Sequence, residues 1–122
     1  KLLACLELIM SLLDINKLKL KPPVKETFMG QDVYILPALN ASQMLARYRE
    51  LSAIEQGAED YSLQVAAVYV RFHIVDDKNQ PLFSQSIEEI MQGFDARAID
   101  RLYGLVDENL LLLEADEAEK NS

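Results

Sequence analysis

A run of mostly apolar residues from Leu63 to Val75 constrains the fold of this chain more than any other part of its sequence. Its β-branched residues leave a strand open, but its length and the pair Ala66-Ala67 favour a helix that is buried on most sides. Because such a helix must be covered by other elements, we expect one core built around it. Ser62 is its predicted N-cap.

Length and composition limit the classes to which the chain can belong. It has 122 residues, half of them hydrophobic, and a formal net charge of −8. This suffices for one packed core and is too short for two ordinary domains. The acidic excess argues against binding to the phosphate backbone of nucleic acids. No apolar run approaches the roughly 18 residues of a membrane span. The single cysteine, Cys5, excludes an intramolecular disulfide framework and fits a reducing cytosol.

Residues 1–16 predict an amphipathic helix that could serve as an oligomerisation arm. Its apolar stripe has helical spacing and consists of Leu2, Leu6, Ile9 and Leu13. Glu7 interrupts the apolar middle and no small-residue cleavage site follows, which argues against a signal peptide. Since the chain begins with Lys1, we expect a residue upstream of it. Two roles stay open for the helix: docking on a neighbouring subunit, or folding back onto its own core.

Residues 17–25 form a basic connector around Pro22-Pro23. A helix cannot run through two prolines, so we place a boundary here. The lysines fit either a solvated linker or a patch for an acidic partner. Beyond the connector we expect a single helical domain over 24–113 and a flexible acidic tail over 114–122.

Residues 24–36 change to the alternation typical of strands. The β-prone runs 24–29 and 32–36 flank Gly30-Gln31, which predicts a hairpin with a two-residue type II′ loop. A lone hairpin is marginally stable, so one of its faces must lie on helices or on another subunit. The predicted fold class is therefore mainly α (α+β): about five helices packed around the central apolar helix, with one small antiparallel β-hairpin near residues 24–36.

Capping patterns predict the other helices. Asn40 and Gln43 cap a helix with an apolar stripe and a charged, solvent-facing side, the stripe being Met44, Leu45, Tyr48, Leu51 and Ile54, and the charged side Arg47, Arg49, Glu50 and Glu55. Ser86 and Glu89 form the capping box of a short helix that ends at Gly93. Asp95 caps the last helix.

Residue types that catalyse reactions or bind metals are scarce. His73 is the only histidine and Cys5 the only cysteine, so one chain cannot form a Cys/His zinc site. The acidic turn 76–80 lacks the order of ligands of an EF-hand, and no serine lies in a Gly-x-Ser-x-Gly elbow. His73, within the apolar helix, is more typical of a neutral core or partner-facing histidine than of a general base. We predict no catalytic, cofactor-binding or metal-binding residue, and no enzyme.

Charge and apolar patterning favour association between copies. Residues 1–25 carry a net charge of +3 and residues 107–122 one of −5. Head-to-tail contact would bring opposite charges together, and heterologous contacts of this kind build rings or spirals. The candidate interface residues are Leu2, Leu6, Ile9 and Leu13 on the first helix, with Phe28 and Tyr34 on the hairpin.

The order of three segments resembles a known family. Gly30-Gln-Asp-Val-Tyr-Ile-Leu36 leads into Leu39-Asn-Ala-Ser-Gln-Met-Leu-Ala-Arg-Tyr48, and after the apolar helix come Ala98-Ile-Asp-Arg-Leu-Tyr-Gly-Leu105 and an acidic tail. This order, over residues 27–113, resembles the tail assembly chaperones of long-tailed (siphovirus) bacteriophages, of the lambda G type. The first helix and the Pro-Pro connector are less typical of that family.

The resemblance implies a binding protein without catalytic residues or cofactors. Such chaperones form rings or spirals, coat the tape measure protein in the host cytoplasm and keep it soluble. They recruit tail tube subunits through a longer, frameshifted product and are absent from the mature virion. Glu119-Lys120-Asn121 is compatible with a slippery A-rich heptamer in the gene. The alternative is a small acidic helical adaptor, from a phage or another mobile element, that binds one protein partner.

Overall fold

The computed structural model describes residues 15–121, with side chains described for residues 15, 16 and 18–110. Along the chain the elements are α1 (Ile15–Leu18), β1 (Val24–Phe28), β2 (Gln31–Ile35), α2 (Ala41–Ser52), α3 (Tyr61–His73), β3 (Ile74–Val75), α4 (Ile87–Gly93) and α5 (Ala96–Asn121). Nearly all of the predicted first helix, including Leu2, Leu6, Ile9 and Leu13, lies outside the described residues.

The predicted fold class is wrong in its elements. The described residues contain four helices of seven residues or more and the single turn α1, not about five helices. They also contain a three-stranded antiparallel sheet in the order β1-β2-β3, not a lone hairpin. The additional strand forms because α3 ends at His73, two residues before the predicted end. Ile74 and Val75 then pair with β2, which suits their β-branched side chains.

The hairpin loop lies one residue earlier than predicted. Phe28 pairs with Gln31, so the two loop residues are Met29 and Gly30. Both have positive φ, 50° for Met29 and 78° for Gly30. Positive φ at both central residues is the pattern of a type I′ turn, so the predicted type II′ loop is also wrong. The predicted role of Gly30 in supplying a positive φ is confirmed.

Helix starts follow the predicted caps in three of four cases among the described helices. Asn40 and Gln43 form a reciprocal capping box on α2, and Ser86 and Glu89 form one on α4. Asp95 accepts a hydrogen bond from the backbone N–H of Arg97 at the start of α5. The predicted cap of α3 is wrong: the helix begins before Ser62, and its N-cap residue is Asp60.

The core lies between α3, α4, α5 and β2. α3 contacts α2, α4, α5 and β3, so most of the described elements surround it. The main cluster of buried side chains comprises Ile35, Ala66, Ala67, Val70, Ile74, Phe83, Ile90, Ile99, Leu102 and Val106. A smaller cluster consists of Leu36, Leu39 and Val75, with Tyr34 and Phe72 packed against it. α2 itself contributes no buried residue.

Candidate functional site

The side of α2 that faces solvent is apolar. Met44, Leu45 and Tyr48 are 50%, 50% and 66% exposed. Their spacing places them on one face of the helix. We call these three residues the outward face of α2. The predicted orientation of this helix is therefore wrong at these positions, because its apolar stripe was expected to face the core.

The opposite side of α2 turns charged groups inward. Arg47 and Glu50, both predicted to face water, are half-buried and contact side chains of α3. Glu50 accepts a hydrogen bond from Arg71, with which it forms an ion pair whose side chains are each about 30% exposed. The exposed part of this pair is screened by solvent, so it contributes orientation more than stability.

Arg47 holds the fully buried His73. Nη1 of Arg47 lies 2.6 Å from Nε2 of His73, and Nδ1 of His73 lies 2.7 Å from the carbonyl oxygen of Leu36. A guanidinium has no acceptor, so Nε2 must accept the bond from Arg47. Nδ1 therefore carries the ring hydrogen and donates a hydrogen bond to the carbonyl oxygen of Leu36. This geometry fixes one tautomer of a neutral imidazole.

Burial lowers the pKa of His73 below the ordinary value of 6.5, and the nearby charge of Arg47 lowers it further. The hydrogen bond to the carbonyl of Leu36 acts in the opposite direction, since it favours the protonated ring. Of the two sequence-based interpretations of His73, a neutral core histidine or one that faces a partner, the buried ring fits the first. The ring has both nitrogens occupied by structural partners.

Aromatic contacts complete the inward side. The ring of Tyr69 stacks on His73 with 5.8 Å between ring centroids. The guanidinium carbon of Arg47 lies 4.8 Å from the centroid of Tyr69, a cation–π distance. Tyr69 also meets Tyr103 of α5 edge to face at 5.5 Å. Arg47 thus connects α2 to α3 and, through Tyr69, to α5.

These contacts explain the orientation of α2. A buried imidazole acceptor that loses its partner costs about 1–3 kcal/mol, which opposes any rotation of α2 that would withdraw Arg47 from His73. The helix therefore presents Arg47 to His73, and Met44, Leu45 and Tyr48 of its apolar stripe remain outside, whereas Leu51 is half-buried and Ile54 is buried. Hydrophobic periodicity alone misses this arrangement. The sequence did contain a signal for it. Arg47 and Glu50 are three residues apart and share one face of α2, and their polar partners His73 and Arg71 lie near the end of the apolar helix.

The two hairpin residues predicted for the interface lie in different environments. Phe28 is half-buried against the main core cluster and borders a surface depression with Met29, Arg97 and Arg101. Tyr34 is half-buried against the smaller cluster. It lies on β2, the middle strand, so its backbone already has partners on both sides. The structure does not bring the two side chains together.

Metal-binding clusters and surface depressions were sought in the described part of the chain. No group of three or more histidine, cysteine, aspartate or glutamate side chains there could hold a metal ion. One depression beside α2 has a volume of about 300 Å³ and is lined by Gln43, Arg71, Phe72, Pro81, Phe83 and Ser84. Its serine has no histidine or carboxylate among the lining residues to act as a base.

Within the described residues, no helix combines the length and the apolar character that crossing a membrane requires.

Comparisons with known proteins add no family. No family model matches the chain, and no curated protein and no solved structure matches it either.

Proposed function

We propose that this chain is an assembly chaperone for the tails of long-tailed bacteriophages. In this proposal it forms oligomers, binds the tape measure protein in the host cytoplasm and keeps it soluble until the tail is built. Tail tube subunits are recruited through a longer, frameshifted form, and the chaperone is absent from the mature virion. Binding alone carries the function, without catalysis or a cofactor.

The observation that supports an association function best is the orientation of α2. Three large apolar side chains, Met44, Leu45 and Tyr48, lie on one exposed face. The charged groups that would ordinarily occupy such a face are bonded inward to His73 and Arg71. Contiguous apolar surface on a small acidic domain is typical of a protein-binding site. The net charge of −8 would keep such an assembly in solution.

The family resemblance in the order of segments 30–36, 39–48 and 98–105 selects a tail assembly chaperone among proteins that act by association. The adaptor that binds a single partner uses the same kind of surface. The two proposals differ in stoichiometry: the chaperone forms oligomers of its own, whereas the adaptor is a monomer that pairs one to one.

Two measurements test the proposal. Light scattering after size exclusion, over a series of concentrations, is expected to give a mass of several subunits. Co-expression with the tape measure protein encoded by the same phage genome is expected to raise the soluble fraction of that protein. A monomer at every concentration that binds one partner at one-to-one stoichiometry would favour the adaptor. An unchanged soluble fraction would contradict the chaperone function.

A further inference from the structure

We propose that protonation of His73 releases α2 from the rest of the domain, so that the outward face of α2 is formed only while this ring is neutral. The release follows from contacts among the described residues. Its consequence for association rests on the proposed function, because that function uses the outward face of α2 as a binding surface. The inference adds a dependence on pH to that surface.

α2 is attached to the domain without burying any residue of its own. None of its 12 residues is buried, and its main contact among the described elements is with α3. Two polar bonds, from Arg47 to His73 and from Arg71 to Glu50, hold it there. The chain is anchored on either side of the helix, because Leu39 and Ile54 are buried. α2 can therefore detach between two fixed points while the main core cluster stays intact.

A detached α2 does not persist as a helix. Isolated helices shorter than about 12–15 residues are marginal in water, and α2 has 12 residues. Met44, Leu45 and Tyr48 share one face only while the helix is formed. Release therefore disperses the outward face and breaks the hydrogen bonds within the helix. The broken bonds make the release measurable, because the freed backbone amides exchange with solvent.

The position of His73 makes this attachment sensitive to protons. Nε2 accepts the bond from Arg47 only in the neutral ring, in which Nδ1 donates to Leu36. A proton on Nε2 would replace the acceptor by a donor that points at a guanidinium. Arg47 of α2 occupies Nε2, so detachment of α2 opens this nitrogen to water. The charged ring is therefore compatible with the released state and not with the attached one.

The other groups around the ring do not supply a competing charge. Tyr69 stacks on His73, and Tyr103 of α5 meets Tyr69 edge to face. Phenols titrate near pH 10, and burial raises the pKa of Tyr103 further. Glu50 of α2 is paired with an arginine of α3, and Asp76, which follows β3, accepts bonds from its own turn. Among the described residues, Arg47 is thus the charged group that contacts the ring.

The direction of the effect follows from the two states of the ring. Burial lowers the pKa of His73 in the attached state, whereas a ring open to water has the ordinary value of 6.5. Above pH 6.5 the ring is neutral in both states and α2 stays attached. Below pH 6.5 release takes up a proton, so its equilibrium constant rises by up to about tenfold for each pH unit, until the pKa of the attached state is reached.

Hydrogen–deuterium exchange of the unmodified protein at pH 7.5 and 5.5 tests the proposal. The exchange rates are corrected for the intrinsic rate at each pH, which gives a protection factor for each amide. We expect the protection of α2 amides to be about threefold to tenfold lower at pH 5.5. At both pH values it should also be lower than that of α3 amides. Unchanged protection of α2 between the two pH values would overturn the proposal. Equal protection of α2 and α3 would also overturn it, because the helix would then open only with the whole domain.

Two variants identify the group that responds to pH. His73→Gln has no titrating group in the ring position, so the protection of its α2 amides should be the same at pH 7.5 and 5.5. Glu50→Gln removes the carboxylate that attaches the same helix, and it should keep the fall seen in the unmodified protein. The opposite pattern would assign the response to the ion pair with Arg71 and would overturn the role of His73.

A matched pair of arginine variants tests the attachment without altering His73. Arg47→Met removes the donor to Nε2, so the protection of α2 amides at pH 7.5 should fall about 5- to 150-fold. Arg49 is exposed, and Arg49→Met should leave this protection unchanged. Circular dichroism shows whether each variant is folded. Unchanged protection in folded Arg47→Met would overturn the proposal even if His73→Gln did not fold.

The outcomes separate this inference from the proposed function. If α2 is released at low pH but the tape measure protein gains no solubility, the inference stands and the chaperone function is wrong. If the protein is an oligomer that keeps the tape measure protein soluble and the protection of its α2 amides does not change with pH, the reverse holds.

Discussion

At the scale of single residues, the neutral ring of His73 determines how α2 is attached. Nε2 can accept from Arg47 only while it carries no proton, and Nδ1 must then donate to Leu36. A proton on Nε2 would remove the acceptor and place two cations in contact. One imidazole therefore couples the orientation of a helix to the pH.

We expect the protein to lose stability as the pH falls below 6.5, the ordinary histidine pKa. Because burial lowers the pKa of folded His73, the unfolded chain binds a proton at a higher pH than the folded chain does. The stabilisation is thus complete above pH 6.5 and is lost as the pH falls toward the folded pKa, by about 1.4 kcal/mol for each unit of lowering. Urea unfolding at pH 7.5 and 5.5 measures the loss. The His73→Gln variant has no titrating group at this position, so its free energy of unfolding should fall less between the two pH values than that of the unmodified protein. An equal fall in both proteins would contradict this role of His73.

Two arginines two positions apart on α2 should differ in their contribution to stability. Arg47→Ala removes the donor to His73 and the cation–π contact with Tyr69, so we expect a loss of about 1–3 kcal/mol. Arg49 is exposed, and Arg49→Ala should change the free energy of unfolding by no more than about 0.5 kcal/mol. Urea denaturation compares the two. Similar losses would mean that the bond to His73 contributes little.

At the scale of elements, replacing glycine by alanine should have opposite effects in two places. These are the loop between β1 and β2, and the middle of α5. Gly30 has a φ of 78°, where a side chain is strained, so Gly30→Ala should cost about 1–2 kcal/mol. Gly104 lies inside α5 with open space around the position of a Cβ. Gly104→Ala should therefore stabilise by roughly 0.5–1 kcal/mol. Thermal unfolding measures the shift in Tm of each variant, which should be downward for Gly30→Ala and upward for Gly104→Ala. Shifts in the same direction in both variants would refute this account.

Elements with local signals were predictable. The caps at Asn40 and Ser86 involve residues three apart, so the sequence alone contains both partners. The hairpin was found for the same reason. Its loop was misplaced because residue preferences favour Gly30-Gln31 as a type II′ loop, whereas the observed type I′ loop places Met29 at a positive φ that such side chains seldom adopt. β3 was missed, because Ile74 and Val75 become a strand only through pairing with β2, a distant part of the chain.

The orientation of α2 was not predictable from its own pattern. Periodicity places Leu45 and Tyr48 inward, and an isolated amphipathic helix would follow it. The requirement of His73 for a donor, 26 residues from Arg47 along the chain, overrides that pattern. Interface candidates chosen by hydrophobic pattern therefore included Phe28 and Tyr34 but not the three residues of the outward face.

At the scale of the whole molecule, the sequence predicts one domain around an apolar helix better than it predicts the number of elements around it. A helix was predicted over 63–75, and the structure has one from Tyr61 to His73 whose apolar side chains form much of the core. Association is a property of surfaces, which composition limits only weakly. The acidic balance argues against one class of partner, but it does not locate the site that a protein partner uses.

The attachment of α2 has a consequence for the motions of the protein. Because α2 buries none of its residues and is held mainly by polar bonds to α3, opening it costs far less than unfolding the core. Its backbone amides should therefore exchange with deuterium earlier than those of α3. An element that can open separately can be adjusted separately, so the exposed residues of α2 can change in evolution while the fold beneath them stays the same.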